Sequence, residues 1–120
     1  MSVRIEKNGP VWTIIHSRPE VRNAIDPESA KAIYNAFNEF NQDKTAYVAV
    51  LWGEGGAFCS GWDLKYASAI SGSEALESYD FPGVGDPPMA VMGTSRLELS
   101  KPVIAAVSGA AVAGGMEVAI

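Results

Sequence analysis

Residues 103–120 read V-I-A-A-V-S-G-A-A-V-A-G-G-M-E-V-A-I, and their only charge is Glu117. The β-rich opening from Val103 predicts a buried strand, the Gly114-Gly115 pair a turn, and the residues after it the start of a buried helix. A carboxylate in such a run is costly to bury unless it is paired or used. It also lies just past two glycines, where backbone can approach a ligand closely. An acid in the first turn of a helix complements the macrodipole as well, so a purely structural role for Glu117 stands beside a chemical one. A membrane span fits less well. Eighteen residues reach the required length, but three glycines, Ser108 and Glu117 interrupt the run, and Lys101 is its only basic flank.

Working outward, the stretch before this run sets the fold class. Val3 to Lys7 alternates, Asn8-Gly9-Pro10 turns, and Val11 to His16 is β-rich, which predicts an opening hairpin. Asp26 is placed to cap a helix with Pro27 at its first position and Glu28 in its first turn. Ala30, Ile33, Tyr34, Phe37 and Phe40 recur at helical spacing, so that helix buries one face. Tyr47 to Trp52 is a continuous apolar run, read as a buried strand that ends in a glycine loop. From Ala67 to Pro88 the composition turns to Ser, Gly, Glu, Asp and Pro, and a loosely packed, mobile excursion is expected. Met89 to Leu99 is expected to form a helix, weakened by Gly93 and Thr94, before Pro102 opens the last strand. Strands alternating with helices predict an α/β architecture with a largely parallel sheet.

Composition bounds the function. The chain has 120 residues, enough for one small domain with a core or for a piece of a larger one. A helix normally ends in Gly, Asn or a basic turn, and this one has reached none of these at Ile120. The chain is therefore expected to be the front part of a longer protein, its core spanning residues 1–120. A net charge of −5 with scattered basic residues excludes a basic stripe, which argues against nucleic acid as the main partner. The single cysteine, Cys59, forbids an internal disulfide. The opening M-S-V-R-I-E-K carries no apolar signal core, so the cytoplasm is the expected location. No Cys/His pair has metal-ligand spacing, and no metal is expected.

Two segments share one design. Gly53 to Lys65 reads G-E-G-G-A-F-C-S-G-W-D-L-K, and Lys101 to Glu117 reads K-P-V-I-A-A-V-S-G-A-A-V-A-G-G-M-E. Each runs from a buried strand through glycine-rich backbone into a helix start. N–H groups exposed at such points hold an oxygen that gains negative charge, and two loops can aim two donors at one oxygen. Neither segment carries a dinucleotide or P-loop signature. Serine or cysteine nucleophilic chemistry lacks a base, because the only histidine, His16, lies on the opening hairpin and Ser60 is not in a nucleophile elbow. His16 is read as an ordinary strand residue and Cys59 as a small packed one. Asp63 is read first as the cap of a helix starting near Leu64. Trp12, Trp52 and the Met89/Met92 pair are read as packing residues.

A-F-C-S-G-W-D-L-K resembles the first oxyanion segment of the crotonase (enoyl-CoA hydratase/isomerase) superfamily, and K-P-V-I-A-A-V-S-G-A-A-V-A-G-G-M-E-V-A resembles the second. R-P-E-V-R-N-A-I-D, from Arg18 to Asp26, is similar to an early stretch of the same family. The three lie in family order and cover essentially the whole chain. The resemblance implies the N-terminal part of a crotonase-like α/β spiral of ββα units. It implies that the backbone N–H groups of Trp62 and Gly114 hold a thioester oxygen. Coenzyme A, carried as part of the substrate with no separate cofactor, would lie along Trp62, Asp63, Leu64 and Lys65, with Lys65 near its charged end and the Ala24 backbone near its pantetheine arm. Glu117 matches the first of two glutamates with which hydratases add water to a 2-enoyl-CoA; the second would lie beyond residue 120. Trp62 stands where the family carries a small residue, so its indole would reshape the acyl pocket or stack on a ligand. Ala113 stands where it often has glycine. An acyl-CoA substrate and a trimer or hexamer of the whole protein are implied. Isomerisation, another acyl-CoA reaction and a non-catalytic acyl-CoA-binding or assembly role are the alternatives.

Overall fold

The computed structural model describes residues 2–69, 92–95 and 97–120. Strands β1 (Val3–Asn8) and β2 (Val11–His16) form the expected antiparallel hairpin, with Val3 opposite His16 and Asn8 opposite Val11. Gly9 turns it at a φ of 58°, a left-handed conformation that glycine adopts without steric cost. A short 3-10 turn at Pro19–Val21 then leads to helix α1 (Pro27–Gln42). Asp26 caps α1 as expected: its Oδ1 accepts from the Ser29 N–H at 2.8 Å and from the Ser29 hydroxyl at 2.6 Å. Such a cap stabilises a helix by about 1 kcal/mol.

The buried face of α1 is Ala30, Ile33, Ala36, Phe37 and Phe40, which the helical spacing anticipates except for Ala36; Tyr34 is only half-buried. This face packs on the sheet, where Trp12 meets Phe40 with ring centroids 5.8 Å apart. Lys101 closes the other end of α1. Its ammonium donates to the Phe40 carbonyl at 2.8 Å and to the Asp43 carbonyl, placing a positive charge at the negative end of the helix dipole.

Strand β3 (Val48–Gly53) pairs parallel with β2, and β4 (Val103–Ala106) pairs parallel with β3, giving the sheet order β1-β2-β3-β4. The chain crosses from β2 to β3 through α1, the α/β connection the element order predicted. Strand β3 starts one residue later than the apolar run, and Tyr47 is exposed. Two helices follow glycine loops: α2 (Leu64–Ala69) after β3 and α3 (Gly114–Ala119) after β4.

His16 ends β2 inside the core, edge-on to Phe58 at 5.9 Å. Burial lowers its pKa to about 4, against a weaker opposing pull from its hydrogen bond to the Phe58 backbone. In the unfolded chain it titrates near 6.5. Stability is therefore fully present above pH 6.5 and falls as pH drops through 4, because the unfolded chain takes up the proton first. The full difference is about 3 kcal/mol. Denaturant midpoints measured from pH 7.5 to 4 are expected to fall in this window, and His16→Gln to flatten that part of the profile.

Two expectations change. Within 89–99 the described residues are not helical: Gly93 adopts a φ of 90°, and Leu97 to Leu99 lack regular structure. Gly93 lies so close to α1 that a Cβ there would stand 2.6 Å from the Ala30 carbonyl oxygen, so this stretch follows the α1 surface instead of coiling on itself. Residues 70–91, and with them most of the Ala67 to Pro88 stretch and Met89, lie outside the described residues. The second change concerns 103–120. Strand β4 and helix α3 form where expected but are not buried: Ile104 is 58% exposed, Met116 56% and Ile120 98%. Among the described residues β4 is the last strand of the sheet, with no strand paired along its outer edge. Helix α3 buries only Gly115 fully.

Candidate active site

The two glycine loops meet. Cys59 and Ala111 form a parallel bridge in which Cys59 N–H donates to the Ala110 carbonyl at 3.1 Å and Val112 N–H donates to the Cys59 carbonyl at 3.1 Å. Glycines make this approach possible. A Cβ on Gly115 would lie 2.1 Å from the Cys59 carbonyl oxygen, and one on Gly109 would lie 2.0 Å from the Gly56 carbonyl oxygen. A Cβ on Gly61 would stand 3.1 Å from the Ala113 methyl and 3.4 Å from the Gly114 nitrogen. The residue before Trp62 thus lies directly against the start of α3.

Peptide planarity then fixes where the two predicted donors point. The Gly61 carbonyl accepts from Ile25 N–H at 2.8 Å, and Asp63 N–H donates to the Ile25 carbonyl at 2.9 Å. A trans peptide sets C=O and N–H on opposite sides, so the Trp62 N–H faces away from Ile25. In the same way, the Ala113 carbonyl accepts from Met116 and Glu117 along the helix, so the Gly114 N–H points out of the N-terminus of α3. The Trp62 indole is half-buried and packs edge-on against Tyr66 at 5.8 Å, a turn into α2.

Ala113 carries the strain of this turn. Its φ of 51° and ψ of −128° belong to a region that glycine occupies freely and alanine does not. Ala113→Gly is expected to raise stability by about 1 kcal/mol, the relief of strain exceeding the entropy a glycine adds to the unfolded chain. A higher denaturant midpoint with an unchanged slope would report it.

The remaining predicted residues gather at the start of α2. Asp63 caps that helix as read: its Oδ1 accepts from Lys65 N–H at 2.9 Å and Tyr66 N–H at 3.0 Å. The Tyr66 N–H does most to hold its carboxyl below the ordinary range; burial opposes this and Arg18 reinforces it. Leu64 and Lys65 are exposed beside it. Ala24 is buried; its N–H donates to the Val21 carbonyl and its own carbonyl accepts from Arg18.

Two residues to which the sequence reading gave no role organise this region. The Arg18 guanidinium donates to the Ala24 carbonyl at 2.7 Å and to Asp63 Oδ2 at 3.0 Å, and lies 3.4 Å from Asp26 Oδ2. Asn23 is fully buried. Its Nδ2 donates to the Glu54 and Ala57 carbonyls, both at 2.7 Å, while its Oδ1 accepts from Arg18 N–H at 2.6 Å. Arg22 and Asn23 adopt consecutive left-handed φ values of 53° and 56°, a conformation that asparagine tolerates well. The one signal in the sequence was R-P-E-V-R-N itself, whose arginine and asparagine have partners 31 to 45 residues away.

Glu117 sits one turn after Gly114 on α3, on the same helix face. It is exposed, and its carboxylate makes no hydrogen bond or ion pair among the described residues. Its side chain lines a cavity of about 280 Å³ with Thr94, Ser95, Leu97 and Val118, whose lining does not include Trp62 or Gly114. The structure thus brings the two donor loops into contact and holds Glu117 a turn beyond them. It does not enclose all three in one pocket.

The chain matches the model of the enoyl-CoA hydratase/isomerase family over residues 6–120. It is 40% identical over 121 residues to a carnitinyl-CoA dehydratase of Salmonella arizonae, the match covering 99% of this chain and 42% of that protein. The crystal structure of an enoyl-CoA hydratase from Mycobacterium tuberculosis superposes with a TM-score of 0.80 at 31% identity, covering 98% of this chain and 42% of the other. That of a carnitinyl-CoA hydratase from Mycobacterium avium gives 0.78 at 31%, covering 97% and 42%. The chain therefore spans about two fifths of the length of the relatives it matches. Its α/β architecture is the N-terminal part of the crotonase fold, and the chain belongs to the enoyl-CoA hydratase/isomerase family.

Proposed function

We propose that this chain supplies the thioester-gripping part of a hydratase-like lyase that adds water to a 2-enoyl-CoA. The observation that carries the reading is the contact between the two donor loops. Gly61 abuts the Gly114 nitrogen, and both flanking peptides are turned so that the Trp62 and Gly114 N–H groups face away from their own secondary structure. Two fixed donors of this kind stabilise an enolate oxygen at no reorganisation cost. As water attacks C3, the C2=C3 π electrons move onto the thioester oxygen between those donors. The Glu117 carboxylate takes the proton that the water releases. The enolate collapses and C2 receives a proton from a second acid outside this chain. Polarisation comes from backbone, so the reaction calls for no cofactor; coenzyme A belongs to the substrate.

The coenzyme arm is assigned to the groove beside Trp62, Asp63, Leu64 and Lys65, with the exposed Lys65 toward its phosphates and the Ala24 carbonyl toward its pantetheine amides. Assembly of the whole protein as a trimer or hexamer belongs to the same reading. It is supported by exposed apolar residues such as Ile104, Val112 and Met116, which an assembly or further chain would cover. A cytoplasmic location fits the free, buried Cys59. No helix among the described residues is long and apolar enough to cross a membrane.

The test is loss of the conjugated enoyl-thioester absorbance when crotonyl-CoA meets the longest natural form of the protein. Turnover supports the reading. Binding of crotonyl-CoA without turnover would replace it with a binding role for the same donors, and movement of the double bond in a 3-enoyl-CoA would replace it with isomerisation.

A further inference from the structure

We propose that Arg18 is a positioning residue for the Trp62 donor, acting through Asp63 and the Ile25 ladder rung; this rests on the oxyanion-hole reading of Trp62 and Gly114. The direction of the Trp62 N–H is set by two hydrogen bonds to one residue, Gly61 C=O from Ile25 N–H and Asp63 N–H to Ile25 C=O. Trp62 can therefore move only if Ile25 or Asp63 moves. The Arg18 guanidinium grips both sides of that rung. On one side it holds Ala24 by its carbonyl at 2.7 Å and faces Asp26 at 3.4 Å, the residues immediately before and after Ile25. On the other it holds Asp63, the residue after Trp62, at 3.0 Å.

The Arg18 side chain is four-fifths buried, so these contacts are less screened by solvent than surface pairs. Three acceptors in fixed directions suit a planar fork and exceed what a single ammonium can satisfy with the same geometry. Arg18 is itself held by Asn23, which is tied to the start of the glycine loop at Glu54 and Ala57. The cradle spans the loop from its first residues to the cap of α2, with Trp62 between its anchored ends.

A merely structural arginine would change the fraction of folded protein and leave each folded site unaltered. A positioning residue changes the grip on the carbonyl. The experiment binds butyryl-CoA labelled with carbon-13 at its carbonyl to the longest natural form of the protein. The carbonyl stretch is read by difference infrared spectroscopy, with kcat and KM for crotonyl-CoA taken per folded site. The unsubstituted protein is expected to shift the stretch below its frequency in water. Arg18→Met is expected to lose much of that downshift and to lower kcat by on the order of tenfold to a hundredfold, with KM changed by less than about threefold. Arg18→Lys recovers only part of the loss, because it restores charge without the fork.

Should Arg18→Met not fold, Asp63→Asn keeps an oxygen for the α2 cap while removing the ion pair, and a smaller change in the same direction is expected. A native downshift that persists unchanged in these variants, with unchanged kcat, overturns the role of Arg18 alone. No downshift in the unsubstituted protein overturns the oxyanion-hole reading, and this inference with it.

Discussion

Glu117→Gln, made in the longest natural form of the protein, is expected to lower kcat for crotonyl-CoA hydration by about a thousandfold and to leave KM within about threefold. The asymmetry follows from where Glu117 sits. It is one turn from Gly114 and exposed, and its carboxylate has no hydrogen bond or ion pair among the described residues, so the substitution breaks no hydrogen bond or ion pair there. The macrodipole contribution of an acid in the first helical turn is only about 0.3–1 kcal/mol, which the denaturant midpoint would register separately from kcat. Glutamine keeps the shape and loses the base. If Glu117 served only the helix dipole, stability would fall slightly and kcat would not move.

Gly115→Ala is expected to cost about 3 kcal/mol of stability, at the upper end for overpacking, and to impair turnover as well. An added Cβ would lie 2.1 Å from the Cys59 carbonyl oxygen and 2.7 Å from its carbon, both backbone atoms that cannot swing aside. That carbonyl also accepts from Val112 N–H, so relief of the clash parts the two loops whose contact aligns the donors. Gly114→Ala is the instructive neighbour. Its Cβ would meet the Met92 sulfur at 2.8 Å, the far part of a flexible side chain, and the N–H remains. Its cost is expected to stay below about 1 kcal/mol. Denaturant unfolding of the pair, with unchanged slopes, checks the contrast; equal stabilities would show that the loops are not in the contact described.

Why some of this was legible in the residues and some was not has a physical basis. The hairpin follows from alternation around Asn8-Gly9-Pro10, and α1 follows from the Asp26-Pro27 start and its apolar spacing, all of them local signals. The glycines were read as places where backbone can approach a ligand closely; in the structure Gly61, Gly109 and Gly115 let the two loops approach each other. The pattern suggested two donors aimed at one oxygen, but the assignment of Trp62 and Gly114 to that proposed role came from family resemblance, since spacing along a chain does not say which loops meet. Arg18 and Asn23 were not legible because the hydrogen bonds that tie them to the glycine loop span 31 to 45 residues, two of the three landing on backbone carbonyls, which leave no mark in composition. Exposure of Ile104 and Met116 was missed for a related reason. Apolar sequence reports that a surface seeks cover, not that a neighbouring element provides it. Of the expected Met89 to Leu99 helix, the described residues are not helical where Gly93 takes a positive φ against α1, a tertiary contact overriding a weak local propensity.

The central claim is that the Trp62 and Gly114 N–H groups hold one thioester oxygen. A crystal structure of the longest natural form with bound butyryl-CoA tests it most directly. The thioester oxygen is expected at hydrogen-bonding distance, about 2.7–3.1 Å, from both nitrogens, with the Glu117 carboxylate facing the acyl C3. An oxygen that contacts neither nitrogen, or a thioester lodged elsewhere in the protein, would contradict the account.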